Sequence, residues 1–127
     1  GYSSSRARAI DLLALALEEE YPVFDGPTWP VRDMGQRPRP VQTPRPPIWV
    51  GGSTEAALRR AAERGDGWLP QGVPEMGMER AIAFLREHRA RCRGDAPIEI
   101  GMNSPFLYVG TPPFAVPAGT LSGAPQA

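Results

Sequence analysis

The stretch "PPIWVGGSTEAALRRAAERGDGWLP", residues 46–70, limits the possible folds more than any other part of this chain. Ile48, Trp49 and Val50 place apolar side chains on consecutive positions, so both faces of the strand they predict are apolar, as in a buried parallel strand. Gly51 and Gly52 break that run. Ser53 is then the expected N-cap of a helix, with Glu55 in the first turn and an i,i+4 pairing from Glu55 to Arg59. Ala57, Leu58, Ala61 and Ala62 form a narrow stripe of mainly small side chains, which lets the helix approach a sheet closely. Gly65 reads as the residue just past the helix, in left-handed backbone geometry. "DGWLP" returns as a second short strand, ended by Pro70. A β-α-β crossover follows, and with it a parallel sheet.

The remaining segments extend the same pattern. Ile10, Leu13 and Leu17 recur at helical spacing, with Ala14 beside them, and predict a helix over 6–20. Its last turn carries Glu18, Glu19 and Glu20, the wrong sign for a helix C-terminus. "YPVFDGPTWPV" suggests a turn at Asp25-Gly26, kept from becoming a regular ladder by Pro22, Pro27 and Pro30. Five prolines between Pro38 and Ile48 make an extended connector into the strand. Met78, Ala81, Ile82, Leu85 and Cys92 trace the inner face of a further helix, with Arg89, Arg91 and Arg93 in its last turn and Gly94 ending it. "IEIGMNSPFLYVG" predicts a third strand with an irregularity at Pro105, and the chain after Gly110 is rich in Pro, Gly and Ala. The expected organisation is a single domain: a helix (1–20), an insertion with a proline-rich connector (21–47), a βαβαβ unit (48–110) and an irregular tail (111–127).

Composition removes several classes of function. Fourteen basic and fourteen acidic side chains balance, so no net field draws the chain to nucleic acid or to a membrane surface. No run approaches the ~18 apolar residues of a membrane span. The N-terminal residues lack the apolar core of a secretory signal. A single cysteine rules out an internal disulfide framework and points to a reducing, cytoplasmic setting.

Gly-Gly-Ser-Thr at the strand-to-helix junction admits two readings. A helix N-terminus offers unpaired N–H groups and partial positive charge, and two glycines let an anion come close to the backbone. Ser53 and Thr54 would add hydroxyl donors, at the C-terminal end of a parallel strand where α/β folds hold ligands. That reading is phosphate binding without a lysine. The other is a tight turn with an ordinary cap. The remaining chemistry-bearing residues are weaker. His88 and Cys92 are four apart on one helix, but two ligands do not make a zinc site, so no metal is expected and packing roles are assigned. Asp66 and Glu75 offer an acid pair, with solvated loop positions as the plainer reading. Trp29, Trp49, Met76 and Met78 read as core or lining.

"PVQTPRPPIWVGGSTEAALRRAAERGDGWLP" resembles the luciferase-like monooxygenase superfamily, flavin- or deazaflavin (F420)-dependent oxidoreductases built on a TIM barrel. The resemblance extends over nearly the whole chain. Residues 6–17 are similar to the family helix before its insertion, and "VFDGPTWPV" to its Phe-x-Gly hairpin. "PRPPIWVGG", "GDGWLP" and "IEIGMNSPFLYVG" are similar to its fifth, sixth and seventh strands. The resemblance implies a partial (β/α)8 barrel whose loop Gly51, Gly52, Ser53 and Thr54 contacts the phosphate of FMN or F420. Trp68 and Pro70 would lie near the cofactor mouth. It assigns no catalytic residue, because the ring contacts and usual catalytic side chains of the family lie on strands with no counterpart here. A complete barrel takes about 250 residues, so the expectation is the C-terminal part of an oxidoreductase acting on a small organic substrate, inactive by itself and prone to self-association through exposed sheet edges. A non-catalytic remnant or an incomplete gene product is the alternative. A proline-rich interaction module built on "RPRPVQTPRPP" is a further one.

Overall fold

The computed structural model describes residues 2–102. The order of elements is α1 (Tyr2–Glu18), β1 (Trp49–Gly51), α2 (Glu55–Arg64), β2 (Gly67–Leu69), α3 (Met78–Arg93) and β3 (Glu99–Ile100). The three strands are parallel and adjacent in chain order. This is an α/β unit of the kind a segment of a (β/α) barrel contributes. The expected continuation of the third strand through Pro105, and the tail, lie outside the described residues.

Register explains which side chains make the core. Val50 is level with Trp68 and Trp68 with Ile100, so these three form one row on one face. Onto that face pack Leu58, Ala61 and Ala62 of α2 and Ala81 and Leu85 of α3. Trp68, Leu58 and Leu85 are the largest side chains with no exposed surface. Complete burial of a side chain of Leu size is worth about 1.5–3 kcal/mol. The Ala57/Leu58/Ala61/Ala62 stripe therefore does what its pattern predicts: all four are buried.

The opposite face differs from expectation. Trp49 is level with Gly67, which is level with Glu99, and Trp49 remains 40% exposed while neighbouring Val50 is 8% exposed. The apolar triplet of β1 is thus buried on one face only among the described residues, because α2 and α3 cover only that face. Two glycines on the uncovered face make room for the Trp49 indole. A Cβ on Gly67 would come within 2.5 Å of it, and a Cβ on Gly101 would collide with it as well.

The acidic end of α1 is resolved by the connector. Arg39 donates to the carbonyl oxygens of Ala16 and Leu17, both at 3.0 Å. Arg45 pairs with Glu18 at 3.0 Å, and Arg37 with Glu20. The insertion supplies both the cations and the carbonyl partners that the helix's own last turn lacks. Phe24 and Val31 form a single antiparallel bridge, the short hairpin that the three prolines allow.

Four further expectations are corrected. Thr54, not Ser53, is the N-cap of α2: its hydroxyl accepts from the Ala57 N–H at 3.3 Å. Gly65 has φ −82°, extended rather than left-handed. What demands glycine there is space, since a Cβ would stand 2.9 Å from the Ala61 carbonyl oxygen and 3.1 Å from Val50 Cγ2. Leu13 is exposed on α1, whereas Ile10 reaches the core. Cys92, expected on the inner face of α3, is exposed. By contrast Gly94, with φ +57°, ends α3 as its sequence predicts.

Candidate functional site

The C-terminal ends of β1 and β2 meet the start of α2. The backbone leaves β1 at Gly51 and turns through Gly52, whose φ is +114°. A side chain there would be strained, and its Cβ would lie 2.9 Å from the Ala57 methyl. The turn is held from below. The Trp68 indole N–H donates to the Gly52 carbonyl at 2.8 Å, and the Gly52 N–H donates to the Leu69 carbonyl at 3.2 Å. Ser53 ties the turn to the loop after β2, its hydroxyl donating to the Gly72 carbonyl and accepting from the Gln71 N–H, both at 2.9 Å.

These bonds divide the predicted site residues into two kinds. The Ser53 hydroxyl spends its proton on Gly72, so it braces the turn and the side chain has no donor left for an anion. Trp68 has no exposed surface among the described residues. It faces the helices because Val50, Trp68 and Ile100 share the covered face, and its part is to fix the Gly52 carbonyl. Pro70 is buried too. The groups left open belong to the backbone and to Thr54. Thr54 uses its oxygen to cap Ala57 and keeps its hydroxyl proton. Among the described residues, no hydrogen bond takes up the N–H groups of Thr54, Glu55 or Ala56. Gly51 has open space at its Cβ position, the nearest atom being Gln71 Nε2 at 3.6 Å. Free amides, a helix N-terminus and bare backbone are what a phosphate requires.

A cavity of about 570 Å³ lies in front of this corner, lined by Ser53, Thr54, Glu55, Glu75 and Met76. Glu55 is engaged by Arg59 at 2.6 Å. Glu75 has no such partner among the described residues and brings a carboxylate to the lining of the same cavity.

The N-terminal end of the same sheet is constructed differently. Arg89 of α3 is 4% exposed. Its guanidinium donates to four carbonyl oxygens: Ala96 at 3.0 Å, Ala62 at 3.0 Å, Gly65 at 2.7 Å and Pro97 at 2.6 Å. Burial lowers its pKa from the ordinary arginine value, helped by nearby Arg93. By sequence Arg89 stands with Arg91 and Arg93 among the basic residues at the end of α3. In fact it links the end of α2 to the chain entering β3. Beside it, Asp66 accepts from Arg45 at 2.6 Å and from the Ile48 N–H at 2.8 Å. Burial pushes the Asp66 carboxyl up, but the bonds from Arg45 and Ile48 outweigh it and leave its pKa below the usual value. Arg45 is raised in return, first by its bond to Asp66. Asp66 and Glu75 therefore sit at opposite ends of the sheet and form no acid pair. The partners of Arg45 and Arg89 are distant in sequence, and no local spacing signals them.

In comparison with known proteins, residues 7–115 match the family model described as luciferase-like monooxygenase.

Proposed function

The chain belongs to the luciferase-like monooxygenase family, and from that premise we propose that it contributes the phosphate-binding corner of a flavin- or F420-dependent oxidoreductase acting on a small organic substrate. The observation that carries this reading is the set of N–H groups of Thr54, Glu55 and Ala56 that have no partner among the described residues, beside a backbone kept bare at Gly51 and Gly52. The chain's own part is to bind and orient: the amides and the Thr54 hydroxyl hold the phosphate, while Trp68 and Ser53 keep the corner from moving. The bound cofactor supplies the redox chemistry.

Fluorescence titration of the chain with FMN and with riboflavin, which lacks the phosphate, tests this reading. FMN is expected to bind more tightly, and the advantage is expected to collapse in Gly51→Val. That position suits the test because its Cβ meets nothing within 3.5 Å, whereas Gly52 cannot take a side chain without disturbing the turn itself. Equal affinity for FMN and riboflavin in the parent chain overturns the phosphate assignment. A parallel titration with F420 decides between the two cofactors.

A further inference from the structure

The C-terminal halves of α2 and α3 bring together three side chains that the phosphate corner does not use. Glu63 of α2, His88 of α3 and Cys92 one turn further along α3 each present one ligand atom, and these atoms lie within 4.8 Å of one another. The Nε2 atom of His88 is 3.0 Å from Glu63 Oε1. In a tetrahedral site with bonds of about 2.0–2.1 Å, adjacent nitrogen and oxygen ligands stand about 3.3 Å apart. The His–Glu edge is therefore already close to ligating geometry. Cys92 is exposed, so its sulfur can swing inward without unpacking a core.

A second observation concerns the His88 ring. It is stacked on Phe84 with centroids 5.7 Å apart and an interplanar angle of 4°, which fixes its orientation. Its Nδ1 atom is buried and has no hydrogen-bond partner among the described residues. An ion at Nε2 takes the imidazole with its one proton on Nδ1. Cationic groups also face the cluster. Arg64 holds Glu63 Oε2 at 2.6 Å and Arg59 lies over Phe84. Glu63 Oε1 remains available to an ion.

We propose that Glu63, His88 and Cys92 form a binding site for a zinc-class divalent cation that clamps α2 to α3. One nitrogen, one thiolate sulfur and one carboxylate oxygen suit Zn(II) rather than Mg(II) or Ca(II), which take oxygen ligands. Three protein ligands leave the fourth position to water. Binding displaces the Cys92 thiol proton to solvent and leaves the imidazole proton on Nδ1, so that Nε2, which donates to Glu63 in the metal-free chain, is bare toward the ion. Sequence spacing shows only His88 and Cys92. The third ligand arrives from another helix through the packing of α2 on α3.

The test is titration of the metal-free 127-residue chain with Co(II) and Zn(II). The expected result is one ion per chain, a thiolate-to-Co(II) charge-transfer band, and a rise in thermal midpoint with Zn(II). Cys92→Ser is expected to abolish the charge-transfer band without altering the circular dichroism of the metal-free chain. His88→Gln and Glu63→Gln are each expected to weaken Zn(II) binding at least about tenfold. Absence of stoichiometric binding at micromolar metal overturns the proposal, as does binding whose affinity and spectrum are unchanged in Cys92→Ser and His88→Gln. Because Cys92 is at the surface, that variant separates loss of a ligand from loss of the fold.

Discussion

At the N-terminal end of the sheet, one buried guanidinium satisfies four carbonyl oxygens, and a carboxylate is held by both an arginine and a backbone N–H. At the C-terminal end, a short strand's length away, the consecutive N–H groups of Thr54, Glu55 and Ala56 have no partner among the described residues, and beside them an exposed threonine keeps its hydroxyl proton. The same three strands carry both ends. The difference shows where the chain commits its polar groups to itself and where it leaves them for something else. A closed network rigidifies, because any member removed leaves buried partners unsatisfied. An open set of amides is tolerable only where solvent or a ligand can reach it. Breaking the closed end should therefore cost stability, and altering the open end should change binding.

The largest effect is expected from Arg89→Ala. Four carbonyl oxygens lose their donor, and hydrogen bonds from charged groups are worth about 1.5–3 kcal/mol each before relaxation. A net loss of about 3 kcal/mol or more is expected, read as a lower midpoint in urea denaturation. Arg89→Lys should recover little, since a single ammonium cannot span the carbonyls of Ala62, Gly65, Ala96 and Pro97. A change below about 1 kcal/mol in Arg89→Ala would mean that the N-terminal end is not the closed network described.

Asp66 gives a smaller effect with a pH signature. Its folded-state pKa lies below the unfolded value of about 3.9. Its stabilisation is therefore fully present above that value and is lost as pH falls through the folded pKa. Asp66→Asn should cost about 1–2 kcal/mol at pH 7, and the gap to the parent should close as the pH is lowered toward about 2. Denaturation midpoints measured across that range check it. A gap that does not depend on pH would place the loss in packing and not in the Arg45 pair.

What could be read from sequence follows the same division. Helices, strands and their parallel order were legible because apolar spacing is local: the Ala57–Ala62 stripe and Gly94 behave as their patterns predict. The position of the open corner was legible because Gly51 and Gly52 mark a strand-to-helix turn. The internal wiring was not. Ser53 and Thr54 are equally good caps by residue type, and only the distance to Gln71 and Gly72 makes Ser53 a brace. Trp68 is alike in sequence whether it faces the helices or the opposite side. Its level partnership with Val50 and Ile100 decides. The roles of Arg39, Arg45 and Arg89 depend on carbonyls or carboxylates 7–27 residues away, which no periodicity reports.

Thr54→Ala probes the boundary between the two behaviours. Loss of the cap on α2 should cost about 1 kcal/mol of stability. If the hydroxyl proton also serves the phosphate, the preference for FMN over riboflavin should fall by a few-fold, while Ser53→Ala should loosen the Gln71–Gly72 loop and leave the Thr54 contact in place. Urea denaturation and cofactor titration of both variants separate the two effects. An equal loss of FMN preference in both variants would make the corner one unit, with no division between brace and ligand.

The smallest effect is electrostatic. Glu75 lines the cavity in front of the open amides without an ion-pair partner among the described residues, and its negative charge opposes an incoming phosphate. It is exposed, so water and salt screen it strongly. Glu75→Gln is expected to raise FMN affinity about two- to threefold at low ionic strength and to have little effect well above physiological salt, where the Debye length falls to a few ångströms. Riboflavin, without the phosphate, should be indifferent to the change at every salt concentration. FMN and riboflavin responding equally would show that Glu75 acts through the shape of the cavity. FMN affinity unchanged at low salt would move the phosphate away from Glu75, and with it the assignment of the amides of Thr54, Glu55 and Ala56.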